Sequence, residues 1–267
     1  MKDNIFKYFV KLSILMVSLS CLFLISYILL KGVPHLKLSL FSFYYTSENV
    51  SLMPALITTL YIIILTLFVG FPIGLFTSIY MVEYANQSGI FYKLMKASIE
   101  ALSGVPSIIY GLFGYLFFVS KFSYSVLSGS LTLSMMILPF ITRATQESLL
   151  EVPNSYREAS LALGTSKLYM IFKVVLPQAI AGIVSGLLLA IGRIVGESAA
   201  LIYTLGTVAT LPNNLLASGR TLSIHMWALS SEGFYTDQAY ATAVILLLLV
   251  LFMNSISILI KDKLTKG

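Results

Sequence analysis

The chain has 267 residues, of which 58% are hydrophobic and only 10% are charged. Its mean hydropathy of +0.91 is far above that of soluble domains, so the composition excludes a soluble globular protein and indicates an integral membrane protein. The net charge of +6 does not indicate nucleic-acid binding, because basic residues beside membrane spans are retained on the cytoplasmic side.

Charged residues divide the sequence into apolar runs, and each run is about as long as the ~20-residue helix that crosses the hydrocarbon core. The runs predict an all-α integral membrane protein with six transmembrane helices in a single domain, residues 1–267. The spans are predicted near 12–30, 53–82, 101–120, 123–143, 174–197 and 238–260.

The distribution of Lys and Arg predicts the orientation. Six spans place both termini on one side of the membrane. If that side is the cytoplasm, only five of the 17 Lys and Arg residues lie outside the inner segments. Four of these five are in the outer segments, namely Lys31, Lys37, Lys121 and Arg220. The fifth, Arg193, is within the fifth span. The sequence therefore predicts a multi-pass protein with both termini in the cytoplasm.

The inner loop at 147–173 contains a predicted helix. Ser155 and Glu158 have the spacing of a capping box, and Gly164 can supply a left-handed stop, which together predict a helix over 156–163. Thr165 is then placed to cap a second helix. By the capping box alone, this element could equally be a solvated helical turn between two spans.

The fifth span contains Arg193 and Glu197, two charges that are costly in a bilayer unless they are paired or hydrated. At 100° per residue, an unbroken helix places both charges on the same face as Gly182 and Gly186, where the glycines admit a neighbouring helix. We expect an ion pair that lines a polar path, with a purely structural clamp as the alternative. The opposite side is aliphatic and is expected to face lipid: Val184, Leu187, Leu188, Ile191 and Val195.

Three further positions have two possible roles. Arg143 ends the fourth span, where it can be the inner station of an anion path or can reach the interface and pair with Glu147 one turn on. Gly104 and Pro106 predict an interruption of the third span, although both residue types are also ordinary kinks in membrane helices.

The sequence has few other motifs that could bind a nucleotide or a metal or catalyse a reaction. The sequence has no G-x-x-x-x-G-K-[ST] loop, so any pumping by hydrolysis needs a separate ATPase chain. His35 and His225 form no metal pair with near neighbours, and we predict neither a metal site nor a catalytic site. The outer segment 207–237, which contains Trp227, is either a connector anchored at the interface or a contact surface for an external partner.

The inner loop resembles a known motif. Glu158-Ala159-Ser160, then Gly164, then Val174-Val175-Leu176-Pro177 is similar to the E-A-A-x-x-x-G-(x9)-I-x-L-P loop of binding-protein-dependent ABC-transporter permeases, with Ser160 and Val174 as conservative departures. In that family the short helix is a coupling helix that sits in a groove of the cytoplasmic ATPase. The resemblance implies a type I ABC importer permease, in which the residues that dock the ATPase are Ser155, Tyr156, Arg157, Glu158, Ala159, Ser160, Leu163, Gly164 and Pro177.

A narrower resemblance comes from two spans. Residues 103–114 resemble the third-span motif of phosphate-transport permeases, and residues 192–201 resemble their G-R-x-x-G-E-[ST]-A motif, more in the manner of PstA than of PstC. This implies phosphate movement past Arg143 and Arg193 in a bacterial cytoplasmic membrane. The implied partners are a PstC-like permease subunit, two copies of an ATPase and an external phosphate-binding protein, besides membrane lipid.

The resemblance also limits the chemistry of the chain itself. ATP and Mg are expected at the partner ATPase, and no cofactor is expected on this chain. Three alternatives stay open from the residues alone. A permease for sulfate or molybdate is one, because an arginine does not distinguish tetrahedral oxyanions. A membrane enzyme acting on a lipid phosphate and a self-powered secondary transporter are the others, the latter disfavoured by the lack of an evident inverted repeat.

Overall fold

A computed structural model describes residues 2–265 of the chain, which form helices and connecting loops without a strand in that range. The helices are α1 (Lys2–Gly32), α2 (Met53–Tyr84), α3 (Ile90–Ser103), α4 (Ser107–Phe122), α5 (Val126–Leu150), α6 (Asn154–Ala162), α7 (Lys167–Gly196), α8 (Ala199–Ile202), α9 (Leu222–Glu232) and α10 (Thr236–Thr265). Short π-helical stretches occur inside α2, α4 and α7 without ending those helices.

Five of these helices, α1, α2, α5, α7 and α10, are long and apolar enough to cross a membrane. The pair α3 and α4 supplies a sixth crossing if the two are counted as one broken span, because they meet at an angle of 101°. The third span, predicted over 101–120 with an interruption at Gly104 and Pro106, differs in extent, because residues 101–103 belong to α3 and α4 runs from Ser107 to Phe122.

The bend between α3 and α4 has a local cause. Pro106 lacks an N–H and disfavours helical geometry at Val105, and Gly104 closes α3 with a backbone bond to Ala101. The hydroxyl of Tyr110 in α4 donates to the carbonyl of Leu102 at 2.8 Å, so the two helices are tied across the break. The predicted interruption at Gly104 and Pro106 thus corresponds to a sharp change of direction.

The centre of the bundle is the parallel pair α2 and α5, whose contacts advance together along both helices. Hydroxyl groups bond across this pair, with Ser134 donating to the carbonyl of Thr66 at 3.0 Å and Ser78 donating to the carbonyl of Thr142 at 2.7 Å. A Cβ at Gly74 would overlap the side chain of Ile141, so this glycine permits the close approach.

Helix α7 packs against the other side of α5. The face with Gly182, Gly186 and Ala190 meets α5, as the small residues indicate. The opposite side is not a lipid-facing surface, because Ile191 and Val195 are buried in the main apolar cluster with residues of α2, α5 and α10. The expected lipid contact of that side is therefore wrong, and the reason is that α7 has neighbours on both faces.

The chain after α7 returns into the bundle before it reaches the outer segment. Helix α8 packs on α4, where a Cβ at Gly111 would lie 2.8 Å from the Cα of Ala200. The outer segment that follows contains a helix, α9, which packs against α10. The Thr221 hydroxyl caps the start of α9 by accepting a long hydrogen bond, 3.5 Å, from the N–H of Ile224. The two candidate charge-bearing regions, the end of α7 and the loop around α6, lie at opposite ends of α7.

Candidate functional site

The predicted coupling helix is present as α6, but its start differs from the prediction. The helix begins at Asn154 after Pro153, and no side chain caps it, so Ser155 lies in the first turn and the Ser155–Glu158 capping box does not form. Pro153 precedes the helix with φ −57° and ψ 140°, and its fixed φ suits the residue that leads into a helix. The following helix is capped by Ser166, which accepts from the Tyr169 N–H, and not by Thr165.

Arg157 anchors α6 to the membrane domain. Its Nε and Nη2 donate to Oε1 of Glu83 at 3.0 and 2.8 Å, and its side chain is 15% exposed against 4% for Glu83. The same guanidinium donates to the carbonyls of Leu149 and Val152 at 2.8 and 2.7 Å. One side chain therefore joins α6 to the inner ends of α2 and α5, and Arg157 is turned away from the surface that an ATPase could contact.

Ser160 is a second internal contact. Its carbonyl and hydroxyl both bond the Thr165 hydroxyl, at 2.8 and 2.7 Å, so Thr165 ties the end of α6 to the next helix. Ser160 is buried. Gly164, which lies between Ser160 and Thr165 in the chain, has φ +77°, the left-handed conformation expected for a residue that ends a helix.

The other predicted docking residues are exposed, six of them in or directly after α6 and Pro177 within α7. Asn154 and Leu161, which were not among the predicted residues, are also exposed, and the half-exposed Tyr156 and the highly exposed Leu163 add apolar area to this part of the loop. Exposed predicted residues are Ser155, Tyr156, Glu158, Ala159, Leu163, Gly164 and Pro177.

Substituting Gly164 tests the loop geometry without a steric side effect, because nothing lies within 4 Å of a Cβ there. We expect Gly164→Val to reduce recovery of the ATPase with the permease and to reduce transport, since a β-branched residue at positive φ is strained by about 1–2 kcal/mol or more. Gly164→Asn is the matched control, because asparagine tolerates the left-handed region. Equal loss in both variants, or loss in neither, would contradict this role; co-purification measures it.

Arg193 lies near the outer end of α7 on an exposed part of the helix surface. Within the described part of the chain it makes no hydrogen bond or ion pair, and its charge acts electrostatically on Tyr110 of α4. The guanidinium is therefore free to bind a group that the isolated chain does not provide.

The expected ion pair between Arg193 and Glu197 does not form. Helix α7 ends at Gly196, and Glu197 is in extended backbone with φ −75° and ψ 127°, so the assumption of an unbroken helix through Glu197 was wrong. Its Oε1 instead accepts from the N–H of Ala200 at 3.0 Å and caps the short helix α8. Glu197 thus fixes the backbone beside Arg193 and leaves that arginine unneutralised.

Arg143 has a different partner from the one expected. Its Nη2 lies 3.7 Å from Oε1 of Glu100 in α3, and the two side chains are 46% and 51% exposed. The pairing with Glu147 is therefore wrong, because the bend before α4 brings α3 alongside α5. At this distance and exposure the pair is weak and exchangeable.

The glycines of α7 relate the two arginines in space. Cβ atoms at Gly182 and Gly186 would overlap Ser148 and Ala144 of α5, and Ala144 adjoins Arg143 in the chain. Arg193 is two helical turns beyond Gly186, which places it about 10 Å further along the helix axis than Arg143. Two exposed arginines at different depths are compatible with successive binding positions.

A larger residue at Gly186 should separate α5 from α7. We expect Gly186→Leu to lower the thermal unfolding temperature of the purified permease, corresponding to about 1–3 kcal/mol of overpacking. Gly192→Leu is the matched control in the same helix, because nothing lies within 4 Å of a Cβ at Gly192. Equal unfolding temperatures for the two variants would show that the close approach of α5 and α7 at Gly186 does not contribute to the stability of the permease.

Two acidic residues of the site were not predicted from sequence. Glu83 and Glu100 bind the arginines of the inner loop and of α5, yet each is distant from its partner in the chain. A weak signal existed for Glu83, which is a lone carboxylate at the end of a long apolar run and therefore needed a partner. No sequence signal separated Glu100 from other exposed glutamates.

Residues 70–266 match the family model described as the binding-protein-dependent transport system inner membrane component. The chain belongs to this family. A permease of this kind is a transporter component and not an enzyme, so the alternative of a lipid-phosphate enzyme is wrong.

Curated relatives confirm the predicted resemblance to the PstA branch. The chain is 34% identical to the phosphate transport system permease protein PstA of Haemophilus influenzae, over 84% of this chain and 81% of that protein. It is 35% identical to PstA 2 of Mycobacterium tuberculosis, over 77% and 70%, and 32% identical to the probable ABC transporter permease protein YqgI of Bacillus subtilis, over 86% and 85%.

Solved structures confirm the predicted type I importer fold of this permease. An inward-facing MetNI methionine ABC transporter matches with a TM-score of 0.63 at 21% identity, over 80% of this chain and 94% of that chain. A bacterial alginate ABC transporter in complex with its alginate-bound periplasmic protein matches with a TM-score of 0.61 at 16% identity, over 92% and 95%.

Proposed function

We propose that this permease is the PstA-type subunit of an ATP-driven importer for inorganic phosphate. The observation that carries the proposal is the similarity to several PstA proteins over most of the chain, together with an arginine, Arg193, that is exposed and unneutralised beside the bundle. A permanent cation with a planar fork of donors suits a phosphate oxyanion.

The remaining parts of the importer are supplied by other chains. We propose a PstC-like permease subunit beside this one, an external phosphate-binding protein, and two copies of a cytoplasmic ATPase that hold ATP and Mg. Both termini and α6 are then on the cytoplasmic side of the bacterial membrane, in accord with the excess of Lys and Arg in the inner segments.

Transmission of ATPase closure depends on the anchoring of α6. The outward surface of α6 contacts the ATPase, while the Arg157 guanidinium holds Glu83 and the carbonyls of Leu149 and Val152. A push on α6 is therefore delivered directly to the inner ends of α2 and α5. Because α7 packs tightly on α5 through Gly186, the three helices move together.

The same movement changes access to the arginines. Arg193 stabilises phosphate through charge-assisted hydrogen bonds at one level, and Arg143 provides a second cation about 10 Å along the path. The weak pair of Arg143 with Glu100 at 3.7 Å allows phosphate to compete for this arginine. Glu197 holds the backbone beside Arg193 and does not neutralise it.

Radiolabelled phosphate uptake by a strain lacking this chain, with and without complementation, tests the function. We expect uptake to depend on the chain and on ATP, and to resist competition by excess sulfate or molybdate. Uptake of sulfate or molybdate in place of phosphate would assign the permease to another oxyanion. A complemented strain that takes up none of the three would overturn the proposal.

A further inference from the structure

Two buried side chains between α8 and α10 have polar atoms that make no hydrogen bond to the described residues. Arg220 is 5% exposed, and its Nε and Nη2 atoms make no hydrogen bond. His225 is completely buried, and neither ring nitrogen makes a hydrogen bond of normal geometry, although the ring lies close to the backbone of Val50. Buried donors of this kind are normally satisfied, so these nitrogen atoms are available to a polar group from outside the chain.

The two side chains belong to one cluster. The Arg220 guanidinium lies over the ring of Tyr45, 4.7 Å from its centroid, and the His225 ring meets the same tyrosine edge-on at 6.3 Å. Burial, and then the charge of Arg220, lower the pKa of His225 to about 3. The histidine is therefore neutral and donates one N–H, while the cluster has a net positive charge from Arg220.

Among the side chains that the structure describes, no carboxylate forms an ion pair with Arg220. Asp237 lies 3.3 Å from His35, and Glu48 is exposed. Contact with the face of Tyr45 compensates the cation only in part. The buried positive charge therefore requires an anion or water from outside the chain.

The cluster adjoins the outer end of the proposed path. Thr221 follows Arg220 and caps α9, and Ser223 in the first turn of α9 donates to the carbonyl of Glu197 at 2.6 Å. Glu197 is the residue that ends α7 after Arg193. The Ser223 bond therefore connects the start of α9, which follows Arg220, to the backbone that follows Arg193.

A short turn borders the cluster, because it follows Tyr45 and brings the backbone of Val50 close to the His225 ring. The turn from Thr46 to Val50 is held by side-chain bonds of Asn49, and Val50 packs against Leu229 of α9. Val50 has φ +44°, a strained conformation for a β-branched residue. Displacement of this turn would relieve the strain and open Arg220 and His225 to the outer side.

We infer that Arg220 and His225 form an oxyanion-binding station at the outer entrance, which receives the anion before it reaches Arg193. Two guanidinium nitrogens, Nε and Nη2, and one imidazole N–H provide donors on three nitrogen atoms for the oxygens of a small tetrahedral anion, and Tyr45 forms one wall. The Thr46–Val50 turn borders the station. This inference rests on the proposed function, because it assumes that an oxyanion passes through the permease.

The test uses the complete complex reconstituted in liposomes, with inorganic phosphate as the probe. We expect Arg220→Gln to reduce ATP-dependent phosphate uptake at least about tenfold, because charge-assisted hydrogen bonds are lost. Lys37→Gln is the matched control, since Lys37 is an exposed outer cation, and it should transport normally. His225→Leu, which leaves the net charge unchanged, should also reduce uptake.

A binding measurement separates this station from a structural role or a docking role. Equilibrium binding of phosphate to the permease pair without the binding protein should weaken in Arg220→Gln, while the thermal stability should stay equal or rise, because an unpaired buried charge is removed. Unchanged phosphate binding with weakened stimulation by the binding protein would make Arg220 a contact for that protein and overturn the inference.

The outcomes also distinguish the inference from the proposed function. Failure of the wild-type complex to transport phosphate would refute the proposed function itself. Normal transport by the wild type together with normal transport by Arg220→Gln and His225→Leu would refute only the station. If Arg220→Gln does not assemble, His225→Leu alone decides, and normal uptake in that variant rejects the inference.

Discussion

Replacing Arg193 by glutamine is expected to abolish phosphate uptake while leaving the assembled complex intact. Arg193 is exposed and makes no bond within the described residues, so its removal should cost the fold little. The loss of a charge-assisted contact with the passing anion is worth about 1.5–3 kcal/mol per hydrogen bond, which corresponds to tenfold or more in rate. Radiolabelled uptake by the reconstituted complex measures the effect.

Two further variants sharpen this prediction. Arg193→Lys keeps the charge but loses the planar fork, and we expect it to retain part of the uptake. Lys121→Gln removes an exposed outer cation that lies over Phe117, 4.3 Å from its ring centroid, and it should transport like the wild type. Normal uptake by Arg193→Gln would eliminate Arg193 from the path, whereas loss of the complex from the membrane would assign it a structural role.

Replacing Arg157 by alanine is expected to destabilise the permease and to uncouple the ATPase. The substitution leaves the carboxylate of Glu83 buried without a partner, which typically costs about 3–5 kcal/mol. It also releases α6 from the carbonyls of Leu149 and Val152, so docking should no longer drive α2 and α5. Thermal unfolding in detergent and the ratio of transport to ATP hydrolysis measure the two effects.

A double substitution distinguishes the loss of the pair from the loss of one side chain. Arg157→Met combined with Glu83→Met removes both charges and should be more stable than Arg157→Ala alone. Arg143→Ala is the matched control in the exposed pair with Glu100, and we expect it to change stability by no more than about 1 kcal/mol. Similar stability losses from the Arg157 and Arg143 substitutions would contradict the importance of burial.

The sequence was most informative where the signal is local. Apolar runs predicted the membrane helices, because a span requires a fixed length of uncharged residues whatever its neighbours are. Gly164 predicted the end of α6, because few other residues adopt its backbone angle readily. The start of α6 was mispredicted because Pro153 and the Arg157 contacts, and not Ser155, hold the first turn.

The partners of the charged residues could not be predicted in the same way. Arg157 binds Glu83 across 74 positions of the chain, and Arg143 binds Glu100 only because the chain bends by 101° before α4. Helical spacing suggested local partners, Glu147 for Arg143 and Glu197 for Arg193. The pairing of Arg193 with Glu197 was predicted wrongly because α7 ends at Gly196, one residue before Glu197.

The sequence by itself therefore determined that this chain is a helical membrane permease with an inner coupling loop and a cationic fifth span. These properties depend on composition, helix length and the geometry of single residues. Only the tertiary structure decided which charges are satisfied. Among the described residues it neutralises Arg157, leaves Arg193 without an ion pair, and buries nitrogen atoms of Arg220 and His225 without a hydrogen bond, because these relations depend on contacts between segments that are distant in the chain.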